Sequence, residues 1–224
     1  MQSSLNLEGS IIKAILNLPN APLILQKINS SLADERKKRE QFYNEITEQI
    51  KAEYINGEII VHSPVVKIHN AICGNAYRLL ETYAFKHDIG FVGFEMILIQ
   101  MTRNDYEPDV CFFNKRKSAK FKDDQKFFPV PDLIVEVLSK STEKRDRGVK
   151  FQDYQAHGVT EYWIISPTEK TIEQYILEGE EFKLITKSKT GEISSEAIEG
   201  LNFSVSALFD RAANHSAIKT IINC

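Results

Sequence analysis

The sequence predicts a mixed α/β domain, helices flanking a central mixed sheet, behind an N-terminal helical extension. Three observations carry this reading. Asn56-Gly57 lies between two short apolar runs in AEYINGEIIVHS, the strongest short-range hairpin signal. HNAICGNAYRLLETYAFKHD then places apolar residues at helical spacing. Beyond it, short apolar runs are interrupted by a single charged helical stretch, STEKRDRGVKFQDYQAH. The order is helix, hairpin, helix, strands, helix, strands.

Residues 1–45 form the extension: IIKAILNL is apolar at helical spacing, and LADERKKREQFYNE continues with charges and sparse apolar positions. ERKKRE reads as a solvated helix face before it reads as a nucleic-acid patch. Residues 46–213 have the texture of one folded domain. Ile72, Ala76, Leu79, Leu80 and Tyr83 mark a helix over about 66–87. GFVGF, EMILIQM and PDVCFF read as strands, KRKSAKFKDDQKFF as a polar, lysine-rich loop, and PDLIVEVL as a buried strand. The following helix stops at Gly158. EYWIIS, TIEQYIL and EEFKLIT read as strands, and a short helix near Val205–Ala213 precedes a tail, 214–224.

At 224 residues, 42% hydrophobic and 26% charged, the chain buries one full-sized core and is not disordered. A net charge of −3 excludes a surface that is basic throughout, though not a local basic cleft. Cys73, Cys111 and Cys224 are far apart and in no metal-ligand spacing, which excludes a disulfide scaffold and a structural zinc site and fits a reducing compartment. With no leader pattern and no apolar run near the roughly 18 residues a membrane span needs, the expected location is cytoplasmic, with no membrane association.

Two chemistries compete in PDLIVEVLSKSTEKRDRGVKFQDY. Ser141-x-x-Lys144, with Lys189-Thr190-Gly191 downstream, resembles two of the three signatures of penicillin-binding enzymes. The third needs an asparagine between them, and none occurs between Asn114 and Asn202. Ser141 or Thr142 then reads as a helix cap, and KTGE as a turn.

Glu136 is harder to dismiss. It shares a strand face with Ile134 and Leu138, where an isolated buried carboxylate costs several kcal/mol unless paired, protonated or metal-bound. An edge strand with Glu136 facing water is the bland alternative. Asp109 follows Pro108 at the start of PDVCFF; if the two strands are neighbours, both carboxylates enter one space. Such oxygen donors suit Mg²⁺ or Mn²⁺. Asp146, Lys150 and Tyr154, at i, i+4 and i+8, share one face of the next helix, which is also the spacing of a surface ion pair. Asp132 shares the pleat face of Glu136 and is the rival to Asp109.

Asp109 after a proline, followed by Glu136-Val137-Leu138-Ser139, is similar to the PD-(D/E)XK nuclease pattern, with Leu138 where that pattern has its lysine. Residues from about Glu53 to Phe209 resemble the Uma2 family of restriction endonucleases. The pieces that match, in order, are EYINGEII, SPVVKIHNAI, EPDVCFF, PDLIVEVLSKST, RDRGVKFQDYQAHGV, EYWIISP and GLNFSVSALF. One departure is visible: Lys140 stands where the family usually has proline.

The resemblance implies a restriction-endonuclease-like fold and a Mg²⁺-dependent (or Mn²⁺-dependent) endonuclease acting on DNA. It implies Asp109 and Glu136 as catalytic metal carboxylates, assisted by the carbonyl of Val137, and Lys150 as the lysine displaced to the helix. Glu53, His69 and Asp146 are supporting candidates. Lys140, Lys115, Arg116 and Lys117 are candidates for the nucleic-acid backbone. A homodimer is admitted but not specified. The alternative is a non-catalytic nuclease-fold module that binds nucleic acid or a protein partner.

Overall fold

The computed structural model describes residues 4–47 and 50–223. Helices α1 (Ser4–Leu16) and α2 (Ala21–Glu45) precede a hairpin of β1 (Ala52–Ile55) and β2 (Glu58–Val61). Asn56 and Gly57 both take positive φ, 51° and 87°, as a tight two-residue hairpin turn requires. Next come α3 (Lys67–His87), β3 (Gly90–Phe94), β4 (Leu98–Gln100), β5 (Asp105–Tyr106), β6 (Val110–Asn114), α4 (Lys115–Ser118) and β7 (Phe127–Phe128). β8 (Leu133–Val137), α5 (Glu143–Asp146), α6 (Val149–Ala156), β9 (Glu161–Ser166), β10 (Thr171–Glu178) and β11 (Glu181–Ser188) follow. β12 (Glu192–Ser194), β13 (Asn202–Ser204), α7 (Ser206–Phe209) and α8 (Arg211–Asn223) complete the chain.

Six strands form the main sheet in the order β11-β10-β9-β8-β6-β3, and five form a second in the order β2-β1-β5-β4-β7. β8 is parallel to β9 and antiparallel to β6, so the main sheet is mixed, as expected for the fold class. All five residues of β8 are buried. Glu136 therefore lies on a central strand, and the solvent-facing edge alternative is gone.

The pleat of β8 sorts its side chains between two cores. Leu133, Val135 and Val137 join Ile72, Leu79 and Leu80 of α3. Ile134 and Leu138 join Tyr154 of α6 and Tyr162 of β9. Each such aliphatic side chain contributes about 1.5–3 kcal/mol on burial. Glu136 faces the second layer, the side from which α6 delivers Lys150.

Three local departures have physical causes. EMILIQM is extended only from Leu98 to Gln100, because Glu95 and Met96 take left-handed φ of 45° and 48° and turn the chain from one sheet to the other. The stretch after β8 splits into α5 and α6 at Gly148, whose φ of −114° and ψ of −103° are not helical. The break lies two residues before Lys150. The last helix runs on through Asn223 because α8 is tied to α3: Arg78 Nε donates to Asn214 Oδ1 at 3.1 Å, and Lys86 Nζ to the Ile221 carbonyl at 2.7 Å.

α2 is fastened to the second sheet by Arg39. Its guanidinium grips Asp105 at 2.6 and 2.5 Å and donates to the carbonyls of Met101, Thr102 and Asn104. Asp105 is fully buried, and its other partner is the Tyr43 hydroxyl at 2.9 Å. Arg39→Ala is expected to destabilise the protein by about 3 kcal/mol, since it strands a buried carboxylate. A urea unfolding midpoint within error of wild type would contradict this.

No helix among the described residues is long and apolar enough to cross a membrane.

Candidate active site

Neighbouring strands, a hairpin and two helices converge on one buried polar cluster. The β6–β8 register, Val110 opposite Val135, sets Asp109 beside the end of β8, where the Val137 N–H donates to Asp109 Oδ2 at 2.8 Å. His69, in the first turn of α3, approaches the same oxygen through Nε2 at 3.3 Å, and Lys51 Nζ lies 3.4 Å from Oδ1. β1 contributes Glu53, which is completely buried. Its Oε1 meets Lys150 Nζ at 2.7 Å and accepts the Glu107 N–H at 3.1 Å, and its Oε2 meets His62 Nε2 at 3.0 Å.

α6 delivers Lys150, 2% exposed, with its ammonium 2.9 Å from Glu136 Oε1 and 3.6 Å from Asp146 Oδ1. One helical turn on, the Tyr154 hydroxyl donates to the same Glu136 oxygen at 2.8 Å. The i, i+4, i+8 face read from the sequence is thus turned inward onto Glu136.

Electrostatics divide the acids into two sets. Burial pushes Glu53 up, but the Lys150 ammonium and His62 overcome it and hold the carboxyl at about 2. Burial likewise raises Asp109, and the His69 hydrogen bond with the Lys51 charge brings it to about 2. Glu136 goes the other way: burial, reinforced by Asp146, Asp109 and Glu53, outweighs Lys150 and lifts it to about 8. Burial raises Glu107 to about 7. For Lys150, burial favours the neutral amine, but Glu136, Glu53 and Asp146 together hold the ammonium well above the usual lysine range.

The cluster can hold a cation. Glu107 Oε2 is buried without a hydrogen-bond partner among the described residues, and such an acid is satisfied by added positive charge. Asp109, Glu136 and the Val137 carbonyl are hard oxygen donors, the chemistry of a Mg²⁺ or Mn²⁺ site. His69, Cys73 and Asp109 also offer ligand atoms within 4.8 Å of one another. Burial pushes the Cys73 thiol far up, and its soft sulfur is not the donor that Mg²⁺ or Mn²⁺ selects.

The structure brings Asp109, Glu136, Val137, Lys150, Glu53, His69 and Asp146 together. Lys140 is exposed, three residues beyond Val137. Lys115, Arg116 and Lys117 are remote: they follow the far end of β6, on the order of 20 Å from Asp109 at about 3.4 Å per residue. Lys115 pairs with Asp88, and Lys117 is engaged by Asp132 at 2.9 Å and the Val130 carbonyl at 2.8 Å. Asp132, the rival to Asp109, also accepts the Asn114 N–H at 2.7 Å, at the opposite end of β8 from Glu136. Ser141 meets Ser139 Oγ at 3.0 Å, and Thr142 takes the cap position of α5.

Lys51, His62 and Glu107 belong to the cluster without having been singled out in the sequence. A strand period of two links Lys51 to Glu53 and Glu107 to Asp109, a usable signal once the end residue of each pair is suspected.

A mixed sheet with flanking helices and an acid cluster at the end of its central strands is the restriction-endonuclease-like α/β class. Residues 39–206 match the model of the Uma2 family, described as "Putative restriction endonuclease", and the chain belongs to this family. It is 30% identical over 204 residues to "Uncharacterized protein slr1290" of Synechocystis sp., covering 87% of this chain and 97% of that protein. It shares its fold with a crystal structure from Anabaena variabilis, titled as "a putative nuclease belonging to DUF820". The TM-score is 0.66 at 19% identity, over 80% of this chain and 97% of the other.

Proposed function

We propose that the protein is a metal-dependent endodeoxyribonuclease that hydrolyses DNA phosphodiesters at the Asp109–Glu136–Lys150 cluster, within a catalytic unit of residues 46–213, and that it works in the cytoplasm. The observation that carries this reading is the set of buried carboxylates drawn round one buried ammonium, Lys150. Asp109, Glu136 and the Val137 carbonyl would hold Mg²⁺ or Mn²⁺. When bound, the ion supplies Lewis-acid polarisation of a phosphate oxygen and lowers the pKa of a water.

The remaining work falls to side chains. Glu53 and Asp146 fix the Lys150 ammonium beside Glu136, where it orients the attacking water and meets charge developing on the phosphoryl group. Tyr154 fixes the Glu136 rotamer, and His69 holds Asp109 through Oδ2. Lys140, exposed three residues beyond Val137, would meet a backbone phosphate near the cluster, and Lys115 and Arg116 would meet nucleic acid only at a distance from it. Contacts of this kind make binding salt-dependent and carry no sequence information.

The test is cleavage of supercoiled plasmid and labelled single strands with Mg²⁺, Mn²⁺ or EDTA. Wild type is expected to nick DNA with metal only, and Asp109→Ala to lose at least about 100-fold. If wild type neither cleaves nor binds metal by calorimetry, the family fold here serves as a binding module.

A further inference from the structure

The acid cluster holds two ammonium groups, and their surroundings differ. Lys150 is saturated. Its side chain is 2% exposed, Glu53, Glu136 and Asp146 lie 2.7, 2.9 and 3.6 Å from Nζ, and the Tyr106 ring backs it at 5.7 Å. Drawing it outward to a ligand would break buried pairs from one side, which is strongly destabilising. Lys51 is not saturated. Among the described residues its Nζ has one ion-pair partner, Asp109 Oδ1, at 3.4 Å. A charge-assisted N–H···O bond closes to about 2.7–2.9 Å, and an ammonium carries three donors, so most of its bonding capacity is unused. Asp109 is anchored through its other oxygen, which accepts the Val137 N–H at 2.8 Å and faces His69 Nε2 at 3.3 Å.

Lys51 also stands toward solvent. It precedes β1 by one residue and shares the pleat face of Glu53, two residues on. Exposure along that face rises from 0% at the Glu53 side chain to 19% at Lys51. Its cross-strand neighbour His62, whose N–H donates to the Lys51 carbonyl at 3.0 Å, is 14% exposed. The open end of the hairpin therefore forms a rim of the cluster, with the Lys51 ammonium on it.

We infer that Lys51 receives the substrate: its ammonium donates to a non-bridging oxygen of the phosphodiester that enters at Asp109. A phosphodiester bound at this carboxylate's metal site comes within reach of a cation 3.4 Å from the carboxylate. Positive charge gathered at Asp109 repels the ammonium, loosens that one long contact and leaves Lys51 to the anion. The two lysines then divide the work. Lys150 acts from inside the cluster, on the attacking water and the developing charge, and Lys51 holds the phosphate in place. This role rests on the nuclease reading and adds a substrate-contacting residue to it.

Lys51→Met, similar in length and uncharged, is the test in the full chain. Lys51→Gln stands in if methionine misfolds, and Lys51→Arg restores the charge. Binding is read by anisotropy of a labelled DNA duplex over a KCl series with Ca²⁺ in place of Mg²⁺. The plot of log Kd against log salt is expected to be shallower in Lys51→Met by about 0.9, the loss of one phosphate contact, and Lys51→Arg to recover the slope. Cleavage with Mg²⁺ is expected to fall about 100-fold in kcat/KM. Mn²⁺ binding by calorimetry should be as tight as in wild type or tighter, because a cation beside Asp109 is gone. A wild-type salt slope in Lys51→Met overturns the assignment. Loss of Mn²⁺ binding also overturns it, by making Lys51 a support for Asp109. If Lys51→Met cleaves like wild type while Asp109→Ala does not cleave, the nuclease reading stands and Lys51 has no part in it. If wild type cleaves no substrate, the nuclease reading fails, and an unchanged slope removes Lys51 as a phosphate contact as well.

Discussion

Lys150→Ala is expected to abolish cleavage and to be among the most destabilising single substitutions in the chain. The ammonium is buried 2.7 Å from Glu53, 2.9 Å from Glu136 and 3.6 Å from Asp146, so its removal leaves carboxylates that no water can solvate. Breaking a buried pair from one side costs about 3–5 kcal/mol, most of it from the charge left behind. Burial already opposes the charge of Glu136, so it adds less to that cost than Glu53. Glu53 bears the loss, because Lys150 is the largest influence opposing its burial.

The sign with pH follows. The Glu53 carboxyl is held at about 2, so its pairing contributes stability above the ordinary glutamate range, and that contribution fades as pH falls toward about 2. The deficit of Lys150→Ala should therefore be full at pH 7 and smaller at about pH 3, by urea unfolding at both values. Cleavage should fall at least about 100-fold to 1,000-fold, the effect of removing one preorganised electrostatic group. A variant that cleaves like wild type would remove Lys150 from the chemistry. A variant as stable as wild type would mean that the three acids find other partners.

Much of this arrangement is legible in the sequence because short-range periodicity carries it. The pleat of LIVEVL turns Glu136 away from Leu133, Val135 and Val137, and the helical period turns Lys150 and Tyr154 to one side. Asn56-Gly57 fixes the hairpin that carries Glu53. What is not legible depends on partners far along the chain. Glu161, in EYWIIS, is as misplaced by pattern as Glu136 and equally buried. Yet it is met by Trp163 Nε1, Gln174 Nε2, the Ser195 hydroxyl and the N–H groups of Glu196 and Ala197, at 2.5–2.9 Å. Neutral donors satisfy Glu161, whereas Glu136 faces other acids and an ammonium, and no local pattern separates the two cases. The Lys115–Lys117 run shows the converse: its composition matches a phosphate-binding loop, but the length of β6 carries it away from the acids.

Glu136→Gln is expected to separate stability from activity. The glutamine keeps an acceptor at Oε1 for Lys150 and Tyr154 and leaves Lys150 paired with Glu53 and Asp146. It removes a charge that burial and three neighbouring acids oppose. A carboxyl raised from 4.5 to about 8 contributes stability that is full below 4.5 and lost as pH rises through about 8. In EDTA, wild type should therefore weaken between about pH 4.5 and pH 8, and Glu136→Gln should weaken less, with a gap on the order of a few kcal/mol by about pH 8. Glu107, raised to about 7, bends both curves in the same direction and leaves the difference to Glu136.

Added Mn²⁺ should reverse the order. An ion bound by the folded state alone stabilises it by about 2.7 kcal/mol at 100 times its dissociation constant, and that gain should appear in wild type and vanish in Glu136→Gln together with cleavage. Equal pH curves in EDTA would mean that Glu136 is not the strained acid of the cluster. Equal stabilisation of both proteins by Mn²⁺ would move the ion away from Glu136, toward the Asp109–His69 side of the site.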